Sequence, residues 1–297
     1  MRAVRYVCMV GIMLSPAGYS HFASASEISI GMTPIAFRTH ARLFGLSAKT
    51  PTYIYRDRCP EIGSQLLNGS GRVAVEIAIV CNAIFAAELS KNIRVVHKFP
   101  HRRRLNEIAE GRIDVSATSI FPEAIAKLPG GKHPLLSNDV IRVGEFEKAI
   151  ITLPDRRDVI SVQDIDDLRP FKAVMNKFWV VDMKTARSLG VKEVVEITNV
   201  GLFRKFLEVG RADFTIAEPS VISSMGWAKG LVMVPGIKVV LVSPRQIPIS
   251  PSRDDIQQAI NRYLLAARSG EKDRVVEAYR RAGFIRADLQ NWKTLNP

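Results

Sequence analysis

Residues 105–124 read LNEIAEGRIDVSATSIFPEA, and residues 202–220 read LFRKFLEVGRADFTIAEPS. Each stretch opens with apolar residues at helical spacing, breaks at a glycine, and continues as a β-rich run. The breaks match: Gly111-Arg112-Ile113-Asp114 in the first and Gly210-Arg211-Ala212-Asp213 in the second. A glycine at such a point takes the left-handed conformation that ends a helix, and the aspartate then opens a buried strand. Any helix stop can look like this. Two copies at matching places in two α/β halves point to two lobes of similar build.

Working outward from these stretches, the first half reads as a strand over 52–58, then a helix capped by Ser70 that carries Val73, Ile77, Val80 and Ile84 on one face. A strand over 93–99, a helix over 102–110 and a strand over 114–120 follow. In the second half Ser161 and Asp164 resemble a capping box ahead of Ile165 and Leu168. Then come a strand over 172–176, a helix over 183–189 stopped by Gly190, a strand over 193–197, a helix over 202–209 and an extended run over 212–217. From Ser252 onward the pattern is two helices, the second ending near Gly283. Strands alternating with helices predict an α/β fold in which each lobe is a mostly parallel sheet flanked by helices. Residues 139–153 and 237–247 are long, extended and rich in β-branched side chains, so each is expected to carry the chain between lobes as a hinge strand. On that reading residues 26–142 and 243–297 form lobe one and residues 143–242 form lobe two.

The N-terminus reads as a secretory signal peptide over residues 1–25: Arg2 and Arg5, an apolar run from Tyr6 to Leu14, and the small-residue pattern Ala23-Ser24-Ala25 before Ser26. A membrane anchor needs about 20 apolar residues, and Pro16, Ser20 and His21 interrupt this run early. A soluble periplasmic product is the expectation. Loss of Arg2 and Arg5 lowers the formal net charge from +13 to +11, which leaves a strongly basic chain. Such a charge suits an anionic ligand or surface, or is simply a solvated exterior; export argues against nucleic acid. The densest basic run is His97 to Arg104. Cys59 and Cys81 remain after cleavage, and in an oxidising compartment they can pair or stay as two thiols.

The order of elements, the two stretches quoted above, VQDIDDLRPFKAVMNKF at 162–178 and SGEKDRVVEAYRRAGF at 269–284 together resemble the bacterial extracellular solute-binding proteins of family 3, which have the type 2 periplasmic binding fold. The resemblance covers nearly all of the chain after Ser26. It implies a receptor that captures a small polar molecule between two lobes and hands it to a membrane permease, or reports it to a sensor protein, as a monomer and without a cofactor. In open α/β sheets ligands lie beyond the carboxyl ends of the strands. That places Thr118, Ser119 and Phe121 on the first lobe and Asn176, Trp179 and Glu218 on the second, with Tyr55 on the first-lobe strand near Tyr53. Members that bind amino acids carry an Arg just after a Thr-x-x-x-x-Glu stretch, forked onto the ligand carboxylate. Here Ala124 holds that place. The Gly-Thr turn of the family is replaced by Asn176-Lys177-Phe178-Trp179, and the usual aspartate after the last lobe-two strand by Glu218. These departures point away from a standard amino acid. Glu218 is then a candidate partner for a ligand cation, or a helix cap; Trp179 either stacks on a flat ligand or packs.

The same fold hosts dehydratases, and fold alone does not set function. General acid and base chemistry needs paired carboxylates or a histidine beside one. No such pairing, Ser-His-Asp arrangement, phosphate loop or metal-ligand spacing is visible in the sequence, so a non-enzymatic binding protein is expected.

Overall fold

The computed structural model describes residues 27–44, 52–97, 100–126, 128, 131 and 133–296. The signal-peptide expectation lies outside them. Strands, in chain order, are β1 (Ile28–Gly31), β2 (Tyr53–Tyr55), β3 (Asn92–Val96), β4 (Val115–Ser116), β5 (Leu135–Leu136), β6 (Glu147–Thr152) and β7 (Lys172–Asn176). They continue as β8 (Glu193–Ile197), β9 (Thr215–Ala217), β10 (Val232–Met233), β11 (Ile237–Val240), β12 (Pro248–Ile249) and β13 (Lys293–Thr294).

Lobe one is a sheet in the order β2-β3-β1-β4-β12-β5. Its centre, β3-β1-β4, is parallel, in register at Gly31 with Val96 and Ser116. The helix Arg72–Ala86 covers this sheet because nearly every side chain on it is apolar, from Val75 and Ile77 to Phe85, and buried. Each fully buried Ile or Val there contributes about 2 kcal/mol. The helix Asp254–Arg268 packs directly against it. In lobe two, β7 and β8 are parallel over five residue pairs, and Phe214 bridges Ala173 just ahead of β9. β9 then pairs antiparallel with the middle of β6, while β10 and β11 pair with its two ends. The sheets are therefore more mixed than the expected mostly parallel pattern: β9, β10 and β11 all run antiparallel to β6, and in lobe one β2, β12 and β5 pair antiparallel with their neighbours.

The two matching glycine stretches are built alike. Gly111 and Gly210 both have positive φ, 77° and 69°. Asp114 Oδ2 accepts from the Ser29 amide (2.7 Å) and hydroxyl (2.6 Å) at the start of lobe one, and its Oδ1 accepts from Arg253 (2.7 Å). Asp213 Oδ2 accepts from the Lys172 amide (2.7 Å) at the start of β7, and its Oδ1 accepts from Arg156 (2.7 Å). Each arginine forks onto a second aspartate two residues on, Asp255 and Asp158 respectively. The repeat read in the sequence is thus a repeated fastening of helix start, first strand and inner strand.

The chain passes between lobes twice, in segments that lie side by side: Ile141 bridges Arg245, Val239 pairs with Lys148 and Val240 with Glu147. One boundary differs from the sequence reading, which kept residues 243–297 in lobe one. After Gly283 the tail crosses over, β13 pairs parallel with β11, and Leu295 is buried in the lobe-two core. Burial of Leu295 and the bonds of Asn296 to Val240 hold it there. Two smaller differences concern helix starts. The capping box is Asp164 with Asp167 rather than Ser161 with Asp164, and the first long helix begins at Arg72 behind Gly71, while Ser70 donates to the Leu67 carbonyl. Cys59 and Cys81 form a disulfide that ties the turn after β2 to the long helix. Among the described residues no helix is long and apolar enough to cross a membrane.

Candidate ligand site between the lobes

Phe146 closes the first crossing segment and is 2% exposed. It packs against Phe121 (ring centroids 6.0 Å) and edge-on against Phe284 (5.0 Å), and shares an apolar cluster with Val181 of lobe two. Three cations surround this one ring: Lys148 Nζ at 4.8 Å, the Arg245 guanidinium at 5.7 Å and the Arg72 guanidinium at 5.9 Å. An aromatic face attracts cations, more strongly once water is excluded. It does not replace a counter-ion, so the question is where each positive charge finds one.

Arg72 reaches Glu76 one turn along its helix, at 2.8 and 3.0 Å. Glu76 is fully buried, and it also accepts from the amide (3.1 Å) and hydroxyl of Ser119. Burial works against the Arg72 charge, but Glu76 and then Glu218 outweigh it and push the guanidinium above its ordinary range. Lys148 pairs with Asp182 at 2.7 Å, both side chains under a tenth exposed. Arg245 has no carboxylate within 4.0 Å among the described residues. Its Nε donates to the Ser119 hydroxyl (2.9 Å), its Nη2 to the Ser119 carbonyl, and its plane lies 4.5 Å from the Phe121 ring. Burial, with the Arg72 charge adding to it, holds its pKa down at about 10. Arg104, 1% exposed, is in a similar position. It donates to the Thr118 hydroxyl (2.6 Å) and bonds His101 (3.2 Å), and burial lowers it to about 10.

Thr118, Ser119 and Phe121 therefore stand where the strand-end argument put them, already engaged by cations that the sequence reading had not placed there. Trp179 reaches the same region through Lys148. It packs edge-on against Phe203, and Lys148 Nζ lies 5.7 Å from its ring. Glu218 makes no ion pair within 4.0 Å among the described residues, yet its charge acts on both Arg72 and Arg245. Asn176 is committed to its own turn, accepting from the Phe178 amide (2.9 Å) and donating to the Thr198 carbonyl (3.1 Å). Tyr55 is not brought to this site. It pairs with Asn92 at the amino end of β3, on the edge strand, whereas Thr118 follows the carboxyl end of β4; it is exposed and tilted against Tyr53. The reason is direction: β2 runs antiparallel to β3, so its last residue faces the opposite pole of the sheet.

Arg72, Glu76, Phe146, Lys148 and Arg245 were missed in the sequence. One of them left a signal, since Glu76 interrupts the otherwise apolar run VAVEIAIV, and a carboxylate in the middle of a core helix must have a buried partner. Among the described residues no group of three or more His, Cys, Asp or Glu is placed to hold a metal ion.

No protein-family model matches the sequence, and no curated protein does either. Solved structures match its shape. The GluR0 ligand-binding core in complex with L-glutamate is 14% identical, aligned over 89% of this chain and 100% of its own, with a TM-score of 0.50. A Streptococcus pneumoniae amino acid ABC transporter substrate-binding protein bound to L-arginine is 14% identical over 86% and 94%, also at 0.50. A Bacillus subtilis protein is 18% identical over 95% and 100%, again at 0.50. The chain thus has the two-lobed α/β fold of solute-binding proteins that its sequence resembles.

Proposed function

We propose that the chain is an exported receptor that captures a small polar molecule between its lobes and serves an ABC-type transporter. The observation that carries this reading is the charged cluster around Phe146. Residues of lobe one (Arg72, Glu76, Ser119), of the crossing segments (Phe146, Arg245) and of lobe two (Lys148, Asp182, Trp179) converge there. Buried charges in the middle of a molecule cost stability unless paired, and they collect at functional sites. Amino acids bound by the two shape-matched relatives, L-glutamate and L-arginine, support a small polar ligand, and the disulfide supports passage to an oxidising compartment, with cleavage near Ser26. A sensory role on the same scaffold is the second reading, favoured only by the departures of the site from the amino-acid pattern.

Two crossing strands restrict the lobes mainly to opening and closing, and a ligand that touches both favours the closed form by that difference in contacts. A thermal-shift screen of organic acids, amino acids, polyamines and sugars tests the reading, followed by small-angle scattering with and without each hit. A true ligand at 100 times its Kd adds about 2.7 kcal/mol of stability and favours the compact form. Catalytic turnover of a hit would move the protein into the enzyme class, and silence across the whole panel would end the receptor reading.

A further inference from the structure

Resting on that reading, we propose that the ligand is a small organic acid of net negative charge, without a required amine, whose carboxylate is held by Arg245 and Arg72 above Ser119. Four cations, Arg72, Arg104, Lys148 and Arg245, face three carboxylates, Glu76, Asp182 and Glu218. The cluster is one positive charge in excess, and the excess is not smeared over it. Arg72 and Lys148 each hold a carboxylate, while Arg104, buried, and Arg245, half-buried, have none within 4.0 Å among the described residues. Of these two, Arg245 is the one that belongs to a crossing segment, shares the Phe146 ring with Arg72 and feels the charges of Arg72 and Glu218.

Its geometry suits an incoming carboxylate. A guanidinium carries five N–H donors in a planar fork. Nε and Nη2 of Arg245 are spent on Ser119, and Nη1 makes no bond among the described residues. The plane is held in place by Phe121 on one side, with Phe146 nearby. Arg72 adds a second guanidinium fixed near the same Phe146 ring and Phe284. Two like charges brought together in a partly buried place repel each other, and an anion between them removes that repulsion.

The same arrangement disfavours a ligand ammonium. Glu76 is saturated by Arg72 and Ser119, and Asp182 is taken by Lys148. Glu218 remains, but it lies within reach of the fields of Arg72 and Arg245, so an ammonium approaching it meets both. The sequence reading made Glu218 a partner for a ligand cation. On the present proposal its charge acts on the two arginines, and a ligand carboxylate would compete with it.

That competition gives an unusual signature. Calorimetric titration of the mature protein with succinate, malate, citrate and pyruvate, set against glutamine, arginine and putrescine, is the experiment. At least one of the acids should bind and the amine-bearing probes should not. Arg245→Met should weaken that acid at least about tenfold, the effect of losing one charged hydrogen-bonded contact. Glu218→Gln should tighten it, by severalfold. Should Arg245→Met fail to fold, Arg245→Lys keeps the charge, loses the fork and must still weaken the acid. Binding confined to amines or amino acids, or loss of acid binding in Glu218→Gln, overturns the anion assignment and leaves the receptor. Silence towards all seven probes together with the wider sugar and polyamine panel overturns both.

Discussion

Asp213→Ala isolates one of the two repeated fastenings. The wild-type carboxylate accepts a hydrogen bond from the Lys172 amide at 2.7 Å and an ion pair from Arg156 at 2.7 Å, with the two side chains 26% and 20% exposed. A hydrogen bond to a charged group is worth about 1.5–3 kcal/mol. The ion pair, being partly exposed, adds at most about 1 kcal/mol, and Arg156 retains Asp158 after the change. The alanine variant should therefore lose about 3 kcal/mol. Asp213→Asn keeps an acceptor for the Lys172 amide and gives up only the charge, so it should lose about 1 kcal/mol. In lobe one Asp114→Ala also forfeits the Ser29 hydroxyl and should cost more, about 4 kcal/mol. Urea unfolding monitored by circular dichroism measures all three, with Arg156→Ala closing a double-mutant cycle on Asp213. If Asp213→Ala and Asp213→Asn both fall within about 0.5 kcal/mol of wild type, the range for inert surface changes, the fastening is an ornament of the turn and the reasoning fails.

Two further outcomes follow from buried groups. Cys59 and Cys81 are 22 residues apart, a loop whose closure stabilises by about 3 kcal/mol; reduction or the Cys59→Ala/Cys81→Ala pair should remove that amount in urea unfolding, and titration of unreduced, denatured mature protein should find no free thiol, two thiols being the opposing result. His40 is fully buried, and burial pushes its pKa down to about 4, while the unfolded chain takes up the proton near 6.5. Its neutral form is the folded one, so stability should be level above about pH 6.5 and fall by about 3 kcal/mol as pH drops toward 4; His40→Phe should flatten that slope, and an unchanged slope would refute the assignment.

Much of the fold was legible because it rests on local chemistry. The glycines at 111 and 210 end helices, and the apolar spacing of residues 73–84 marks the core helix of lobe one. Where expected strands came out short, side chains had a competing claim on the backbone. Residues 114–120 read as one strand, yet the ladder covers only Val115–Ser116. The Ser116 hydroxyl donates to the Thr118 carbonyl (2.6 Å) and accepts from the Thr118 amide (3.1 Å), which bends the chain away from the sheet and toward the site. Likewise residues 52–58 give three strand residues and then a turn, because Arg56, Asp57 and Arg58 remain exposed while Cys59 is tied to the long helix.

The site was half legible, and the division follows from how its charges are brought in. Strand ends can be located by counting along one element, and Thr118, Ser119 and Phe121 do lie just past the carboxyl end of β4. Phe146, Lys148 and Arg245 meet only when two segments about a hundred residues apart in the chain cross side by side, and no local pattern reports a crossing. Charge was harder still to read, because a cation in sequence carries no mark of its surroundings. The run Arg102-Arg103-Arg104 reads as one basic patch, but in the helix His101–Ala109 it splits. Arg102 and Arg103 are exposed, while Arg104 falls on the face of Leu105 and Ile108 and is 1% exposed. A net charge of +13 is therefore a poor guide to what the protein binds. What bears on the ligand is that two guanidiniums, Arg104 buried and Arg245 half-buried, sit against neighbouring residues, Thr118 and Ser119, with no carboxylate within 4.0 Å of either among the described residues. Withdrawing such groups from water without a counter-ion is costly, and on the anion proposal a ligand carboxylate at Arg245 offsets part of that cost.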